Sequence, residues 1–391
     1  MATDLSSTEC RLLLDRLVAG QPPPIPLAHR FLVGFDDLLV RWRNDMASYV
    51  AEGGSLLRIV AAPVGEGKTH LARALQAIAA EMDFLNCHID AQSQHTDDDL
   101  SLHGALCGSL LTPSAVLEEQ SEGGLLAVFR HVADRISEAD ARKAVQSVDV
   151  PVAFLRDLIP RVIGALRCWE DARGLSIQAP DVAVALRLIA GQQVDATRSL
   201  RRLRLRYDGP VLRAMARTPG KRDAKLWIES LLRILPRLGF RGVLVSIDEH
   251  DYANQRLLDR HIVQLRRLAD GLASGHLPGV FVVLFVLDDF RTRVDEQHSA
   301  LAQRIHPILR RRVPNRILST LAELRDTDGS DFLVAIGQRL HGLVNGIEQP
   351  WPATIKARCC DLAKANSRLG GPDTRAFVKS FAGFLQETYD N

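Results

Sequence analysis

Apolar positions recur along the chain with two different spacings. Short continuous apolar runs that stop at Gly, Pro or Asp read as buried strands, and apolar residues recurring every three to four positions read as helices. Residues 1–20 form a short amphipathic helix with Leu12, Leu13, Leu14, Leu17 and Val18 on its apolar side. Pro22, Pro23, Pro24 and Pro26 then predict an extended connector, because proline lacks an amide donor and restricts the residue before it. The helical pattern resumes from Phe31 through LLVRWRNDMASYV and ends at Gly53 and Gly54. SLLRIVAA (Ser55–Ala62) is a strand, followed by a glycine-rich turn, the helix THLARALQAIAAEM and a second strand, DFLNCHID (Asp83–Asp90). From about Ser93 to Lys225 no strand is evident, and leucines and valines keep helical spacing, as in LLAVFRHVADRI and AFLRDLIPRVIGALRCW. Strands return in GVLVSIDE (Gly242–Glu249) and GVFVVLFVLDD (Gly279–Asp289), with a last one expected in RILSTLAEL (Arg316–Leu324). The remainder is helical, broken by QPWP and RLGGPD.

This alternation predicts an α/β fold with a parallel sheet, since strand–helix–strand units close right-handed and bury both sheet faces. The expected segments are an N-terminal helix and connector (1–30), a first part of the core (31–92), a helical insertion (93–225), a second part of the core (226–328) and a C-terminal helical lid (329–391).

Composition narrows the picture. The 391 residues suffice for two or three domains, and 46% hydrophobic with 25% charged residues is the balance of an ordinary folded protein. A net charge of +2 means that any nucleic-acid site must be local rather than a consequence of bulk basicity. No apolar run reaches the roughly 18 residues that span a bilayer. MATDLSSTEC lacks the basic start and apolar stretch of a secretory signal, so a cytoplasmic protein is expected. The six cysteines form no CxxC pair and read as reduced thiols, and the twelve histidines show no metal-ligand spacing. Of the 49 basic residues, 42 are arginine, a side chain whose planar fork suits phosphate.

The strongest chemical signal is Ala62-Pro63-Val64-Gly65-Glu66-Gly67-Lys68-Thr69. It fits the phosphate loop GxxxxGK[ST] with alanine at the first glycine position, and it stands where that loop belongs, between a strand and a helix. Gly65 and Gly67 let backbone amides turn toward an anion, and the following helix adds its N-terminal partial charge. Lys68 neutralises β- and γ-phosphate oxygens, and Thr69 offers a hydroxyl to Mg²⁺. Gly65, Glu66, Gly67, Lys68, Thr69 and His70 are the expected nucleotide-binding stretch. A second apolar strand delivers Asp248 and Glu249 at its carboxyl end, where ligands bind in open α/β sheets. Asp248 is expected at the Mg²⁺, and Glu249 is expected to orient or deprotonate the attacking water.

Most other features carry two readings. Asp288 and Asp289 end the GVFVVLFV strand, either as a polar sensor or as an acidic loop. Arg304, with Arg310, Arg311 and Arg312 behind it, is a candidate arginine finger in an assembly or part of a solvated helix face. Arg375 opens the last helix and is a candidate lid arginine for the γ-phosphate. Arg201, Arg202, Arg204 and Arg206 lie in RSLRRLRLRY, a run suited to DNA phosphates or to an acidic protein surface.

With these residues in place, the chain resembles the BrxD-like ATP-binding proteins of BREX-type bacterial phage-defence systems, within the AAA+/STAND-like P-loop ATPases. The resemblance is carried by LLLDRLVAGQPPP, FLVGFDDLL, EGGSLLRIVAAPVGEGKTHLARALQAIAAEMDFLNCHIDAQS, LRLIAGQQVDATRSLRRL, LPRLGFRGVLVSIDEHD, QLRRLADGLASGHLPGVFVVLFVLDDF and DTRAFVKSFAGFL. It implies a sheet of strand order 5-1-4-3-2, ATP and Mg²⁺ as cofactors, and an ATPase coupled to DNA or to a DNA-processing partner. The alternative readings are an ATP-switched adaptor with little hydrolysis that assembles defence partners, and an AAA+ loader of a helicase or transposase. A homo-oligomer is compatible with each.

Overall fold

The computed structural model describes residues 5–91, 98–120, 123–168, 186, 189–190, 223–248, 255–305, 317–325, 329–345, 351–368 and 371–389. The first half contains helices α1 (Ser7–Val18), α2 (Ile25–Phe31) and α3 (Asp36–Asp45), strand β1 (Ser55–Ala61), α4 (Lys68–Glu81) and β2 (Phe84–Asp90). These are followed by α5 (Asp99–Ser109), β3 (Leu110–Leu111), α6 (Pro113–Leu117), α7 (Leu125–Arg135), α8 (Glu138–Gln146) and α9 (Leu155–Cys168). The second half contains α10 (Ala224–Ile234), β4 (Gly242–Asp248), α11 (Gln255–Ala273), β5 (Val280–Val286), α12 (Phe290–Gln297), α13 (Ser299–Ile305) and β6 (Leu318–Thr320). It ends with α14 (Leu321–Leu324), α15 (Gly329–Asn345), α16 (Ala353–Ala365), the small strands β7 (Ser367–Arg368) and β8 (Gly371–Pro372), and α17 (Thr374–Tyr389).

The main sheet has six strands in the order β3-β2-β4-β5-β1-β6, parallel except for β3. The five parallel strands follow the 5-1-4-3-2 order expected from the resemblance. Every residue of β4 and β5 is buried, as a parallel sheet covered on both faces requires.

Side chains alternate strictly between the two faces. Leu57, Ile59, Leu85, Val243, Val245, Val280 and Val282 point into one apolar cluster, which α5, α7, α9, α10 and α11 complete. Val60, Phe84, Leu244, Phe281, Val283 and Phe285 point the other way, onto α3 and α4. The period of two in strands makes this division unavoidable once the register is set.

The described helices between β2 and β4 therefore extend the core of the sheet. A third cluster joins the two ends of the chain: Leu13, Leu14 and Leu17 of α1 and Phe31 of α2 pack with Phe332, Leu340, Cys359, Phe377 and Phe381 of the C-terminal helices.

Three expectations change. The middle of the chain does contain a strand, since β3 pairs antiparallel with Asn86 and Cys87; two residues are too few to show a period. The proline segment is not extended throughout. Pro24 precedes α2 and Pro26 lies in its first turn, where a missing amide hydrogen costs nothing. The RILSTLAEL segment is strand only over Leu318–Thr320; there the Thr320 side chain caps α14 in a capping box with Glu323 and turns the chain. Among the described residues, no helix is long and apolar enough to cross a membrane.

The third cluster makes a testable demand. Phe381 is fully buried and stacks on Phe377 with ring centroids 5.8 Å apart. Phe381→Ala should lower stability by about 3–5 kcal/mol, read by urea unfolding. A loss below about 1 kcal/mol would mean that the ends of the chain contribute little to the fold.

Candidate functional site

The register of the sheet decides where polar groups collect. Ala61 of β1 lies opposite Val286 of β5, and Asp248 of β4 lies opposite Phe285 of β5, so three central strands end at one level. At that level the chain leaves β1, makes a tight loop and enters α4. Ala62 is buried, and its amide donates to the Val286 carbonyl at 3.1 Å, which continues the strand pairing by one residue. Its backbone is outside the left-handed region, so a methyl group at this position imposes no strain. Gly65 (φ 88°) and Gly67 (φ 107°) do adopt left-handed conformations, which side chains disfavour, and Gly67 caps α4.

Lys68 is the first residue of α4 and is buried. Its ammonium donates to the carbonyl oxygens of Ala62 at 2.5 Å and Pro63 at 2.9 Å, so it lies folded over the loop. Burial pulls the Lys68 ammonium below its ordinary range, while Asp248, Glu66 and Asp288 pull it back up. The Thr69 hydroxyl donates to Asp248 Oδ2 at 3.2 Å across the gap between α4 and β4. A lysine, a hydroxyl and a carboxylate from two distant segments thus meet at the head of one helix.

A second wall comes from both ends of the chain. A cavity of about 300 Å³ lies over Gly65, Gly67, Lys68 and Thr69. Its other sides are Leu17, the Gly20–Pro23 connector, Phe31, and Thr374, Arg375 and Val378 of α17. Arg375 sits between Gly65 and Gly20: a methyl group built on Gly20 would lie 3.4 Å from Arg375 Nε, and one on Gly65 would lie 3.6 Å from Arg375 Cβ. His70 lines the same cavity. It stacks on Phe31 (centroids 5.3 Å), and its Nε2 donates to the Ala28 carbonyl at 2.8 Å, tying α4 to α2. Burial pushes the His70 imidazole down to about 4, so it is neutral at physiological pH.

Glu66 is turned away from these groups. Its carboxylate accepts from Arg325 Nη2 at 2.8 Å, and the Arg325 guanidinium also lies over the Phe332 ring, 4.5 Å from its centroid. Burial pushes the Glu66 carboxyl up, partly offset by Arg325. Sequence reasoning missed Arg325. One arginine among 42, placed just after the four-residue helix α14, carries no pattern that marks it.

The structure therefore brings Gly65, Glu66, Gly67, Lys68, Thr69, His70, Asp248 and Arg375 to one place. Asp288 is exposed but within electrostatic reach of Lys68 and Glu66. Asp289 instead pairs with Arg293 one turn along α12, as an acidic residue at a helix start does. Glu249, Arg201, Arg202, Arg204, Arg206, Arg310, Arg311 and Arg312 lie outside the described residues, as does the side chain of Arg304.

Comparison with known proteins adds one match, over part of the chain. Residues 5–162 match the BREX system ATP-binding protein BrxC/D family. The BrxC/D match includes α1, the proline connector, β1, the glycine loop, α4 and β2, and it ends within α9. Asp248, Arg325 and Arg375 lie beyond the matched residues. No curated protein and no solved structure matches the chain significantly.

The buried imidazole has a consequence for stability against pH. The His70 value in the fold, about 4, lies below its ordinary 6.5. The associated stability is present above pH 6.5 and is lost as the pH falls toward 4, because only the unfolded chain protonates readily in that window. The melting temperature should drop between pH 6.5 and 4, and His70→Gln, which gains no proton there, should drop less. Parallel curves for the two proteins would show that His70 is not held neutral by burial.

Proposed function

We propose that this chain is a Mg²⁺-dependent, ATP-binding and ATP-hydrolysing P-loop protein of a BREX-type phage-defence system. The observation that carries this reading is the meeting of Lys68 and Thr69 at the head of α4 with Asp248 at the end of β4. The BrxC/D match over residues 5–162, whose family description is an ATP-binding one, supports the nucleotide and the setting.

The parts divide as follows. Left-handed Gly65 and Gly67 and the first turn of α4 direct backbone amides and a partial positive charge at the phosphates. Lys68 leaves the Ala62 and Pro63 carbonyls to neutralise β/γ oxygens. Arg375, beside Gly65, approaches the same phosphates from α17. Leu17, Pro22, Pro23, Phe31 and Val378 form an apolar side of the cavity suited to a base. The Thr69 hydroxyl and the Asp248 carboxylate are hard oxygen donors 3.2 Å apart and fit Mg²⁺. When bound, the ion neutralises charge developing on the transferred phosphoryl group. Among the described residues, no cluster of three or more His, Cys, Asp or Glu is present. Glu249, next after Asp248, is the proposed base for the attacking water.

Coupling to DNA rests on the arginine run that contains Arg201, Arg202, Arg204 and Arg206, and a trans-acting Arg304 rests on assembly into a homo-oligomer. Both belong to the proposal.

Two variants test it. Lys68→Ala should lose binding of a fluorescent ATP analogue, because the amides alone must then hold the polyanion. Unchanged affinity in the variant would remove the loop from the site. Glu249→Gln should still bind ATP while turnover falls about 100-fold or more. Wild-type turnover in that variant would move the base to another carboxylate. ATP binding without turnover in the wild-type protein would make it a switched adaptor.

A further inference from the structure

The phosphate loop carries a feature that a polyanion site should avoid. Glu66 stands between the two left-handed glycines, and its side chain is only 11% exposed. A carboxylate there opposes phosphate entry, since like charges at close range in a poorly hydrated site repel strongly. Lys68 does not offset it by contact, because its ammonium is held by Ala62 and Pro63.

Arg325 does contact it. Its side chain is 1% exposed, the most buried guanidinium among the ion pairs of the described residues. Arg325 Nη2 reaches both the Glu66 carboxylate, at 2.8 Å, and the Glu66 backbone carbonyl, at 3.4 Å. The guanidinium also rests on the Phe332 ring, a member of the apolar cluster that joins the chain ends. Arg325 Nε is also buried and has no hydrogen-bond partner among the described residues. Arginine cannot shed its proton to relieve that cost. A buried, permanently charged side chain with one donor unsatisfied is expensive to keep for packing alone.

We propose that Arg325 is a positioning residue of the nucleotide site: it draws the Glu66 carboxylate out of the phosphate path and holds the loop in a shape that admits a polyanion. The inference rests on the ATP-binding reading above. It assigns to β6 and α14, which lead to Arg325, the task of bringing a counter-charge to the loop from behind. Through Phe332, the same contact links the loop to the C-terminal helices.

The role is electrostatic and directed at one carboxylate, so removing that carboxylate should make Arg325 dispensable. The experiment titrates a fluorescent ATP analogue into the full-length wild type, R325A, R325K and the double variant E66Q/R325A, with a melting curve for each. R325A should bind about tenfold or more weakly. R325K, which keeps the charge but not the fork, should fall between R325A and wild type. E66Q/R325A should return to within about threefold of wild type. A merely structural arginine would not be rescued by neutralising Glu66. Wild-type affinity in R325A, or a folded double variant as weak as R325A, overturns the proposal. If R325A does not fold, lost binding in the folded double variant overturns it, and retained binding supports it. A wild-type protein that takes no analogue overturns the ATP reading, and this proposal with it.

Discussion

The parallel pairing of β1 with β5 and of β5 with β4 is the constraint on which the rest of the site depends. It matches Ser55 with Val280 through Ala61 with Val286, and Val243 with Val280 through Asp248 with Phe285. Slipping either pair by one residue would send every apolar side chain to the wrong face, exposing Val245 or Phe281. The hydrophobic alternation that protects the two cores therefore also fixes, to one residue, where β1 releases the glycine loop and where β4 presents Asp248. Thr69 and Asp248, separated by 179 positions, come within 3.2 Å because of a register chosen for burial.

Burial then makes the charges at that edge interdependent. Lys68, Asp248 and Arg325 are all under 10% exposed, and a charge so placed must be paired or must neutralise. Each acts on the next. Asp248 and Glu66 favour charged Lys68, Arg325 favours charged Glu66, and Asp288 from the β5 end disfavours it. The set is held by a helix start, three strand ends and the turn after β6. A nucleotide would have to change several of these contacts together, which ties its binding to the position of β6 and of Phe332 behind it.

Much of this was legible in the sequence. The strands β1, β2, β4 and β5 are apolar runs too short for helices and stop at polar or turn residues, so period and length both identify them. Gly65, Gly67, Lys68 and Thr69 stood out because a phosphate nest needs those residue types at that spacing between a strand and a helix. What stayed hidden is what depends on neighbours distant in sequence. The two-residue β3 has no period to detect. Pro26 read as a breaker, although in the first turn of a helix its missing amide hydrogen is harmless. Arg325 acts through contacts with Glu66 and Phe332, and nothing in its local sequence separates it from other arginines. His70 stood in the expected nucleotide-binding stretch, but nothing in the sequence shows that burial behind Phe31 and α2 keeps its ring neutral, against the Ala28 carbonyl, which favours the charged form.

The ends of the chain also become part of the site for a physical reason. The α1 helix has an apolar side too small to be stable alone, and isolated helices of twelve residues are marginal in water. It gains its stability by burying Leu13, Leu14 and Leu17 against α15 and α17. That docking places the connector after α1 beside the glycine loop, and the first turn of α17 brings Arg375 between Gly20 and Gly65. The cavity over Lys68 and Thr69 is thus closed by elements held through the third apolar cluster and α2, with Arg16 paired to Glu119 and Arg73 donating to the Pro23 carbonyl as further ties. Loosening that cluster would open the cavity without touching the sheet, and filling the cavity would draw α1 and α17 toward the loop. A bound ligand and the packing of the chain ends are therefore linked, each stabilising the arrangement the other needs.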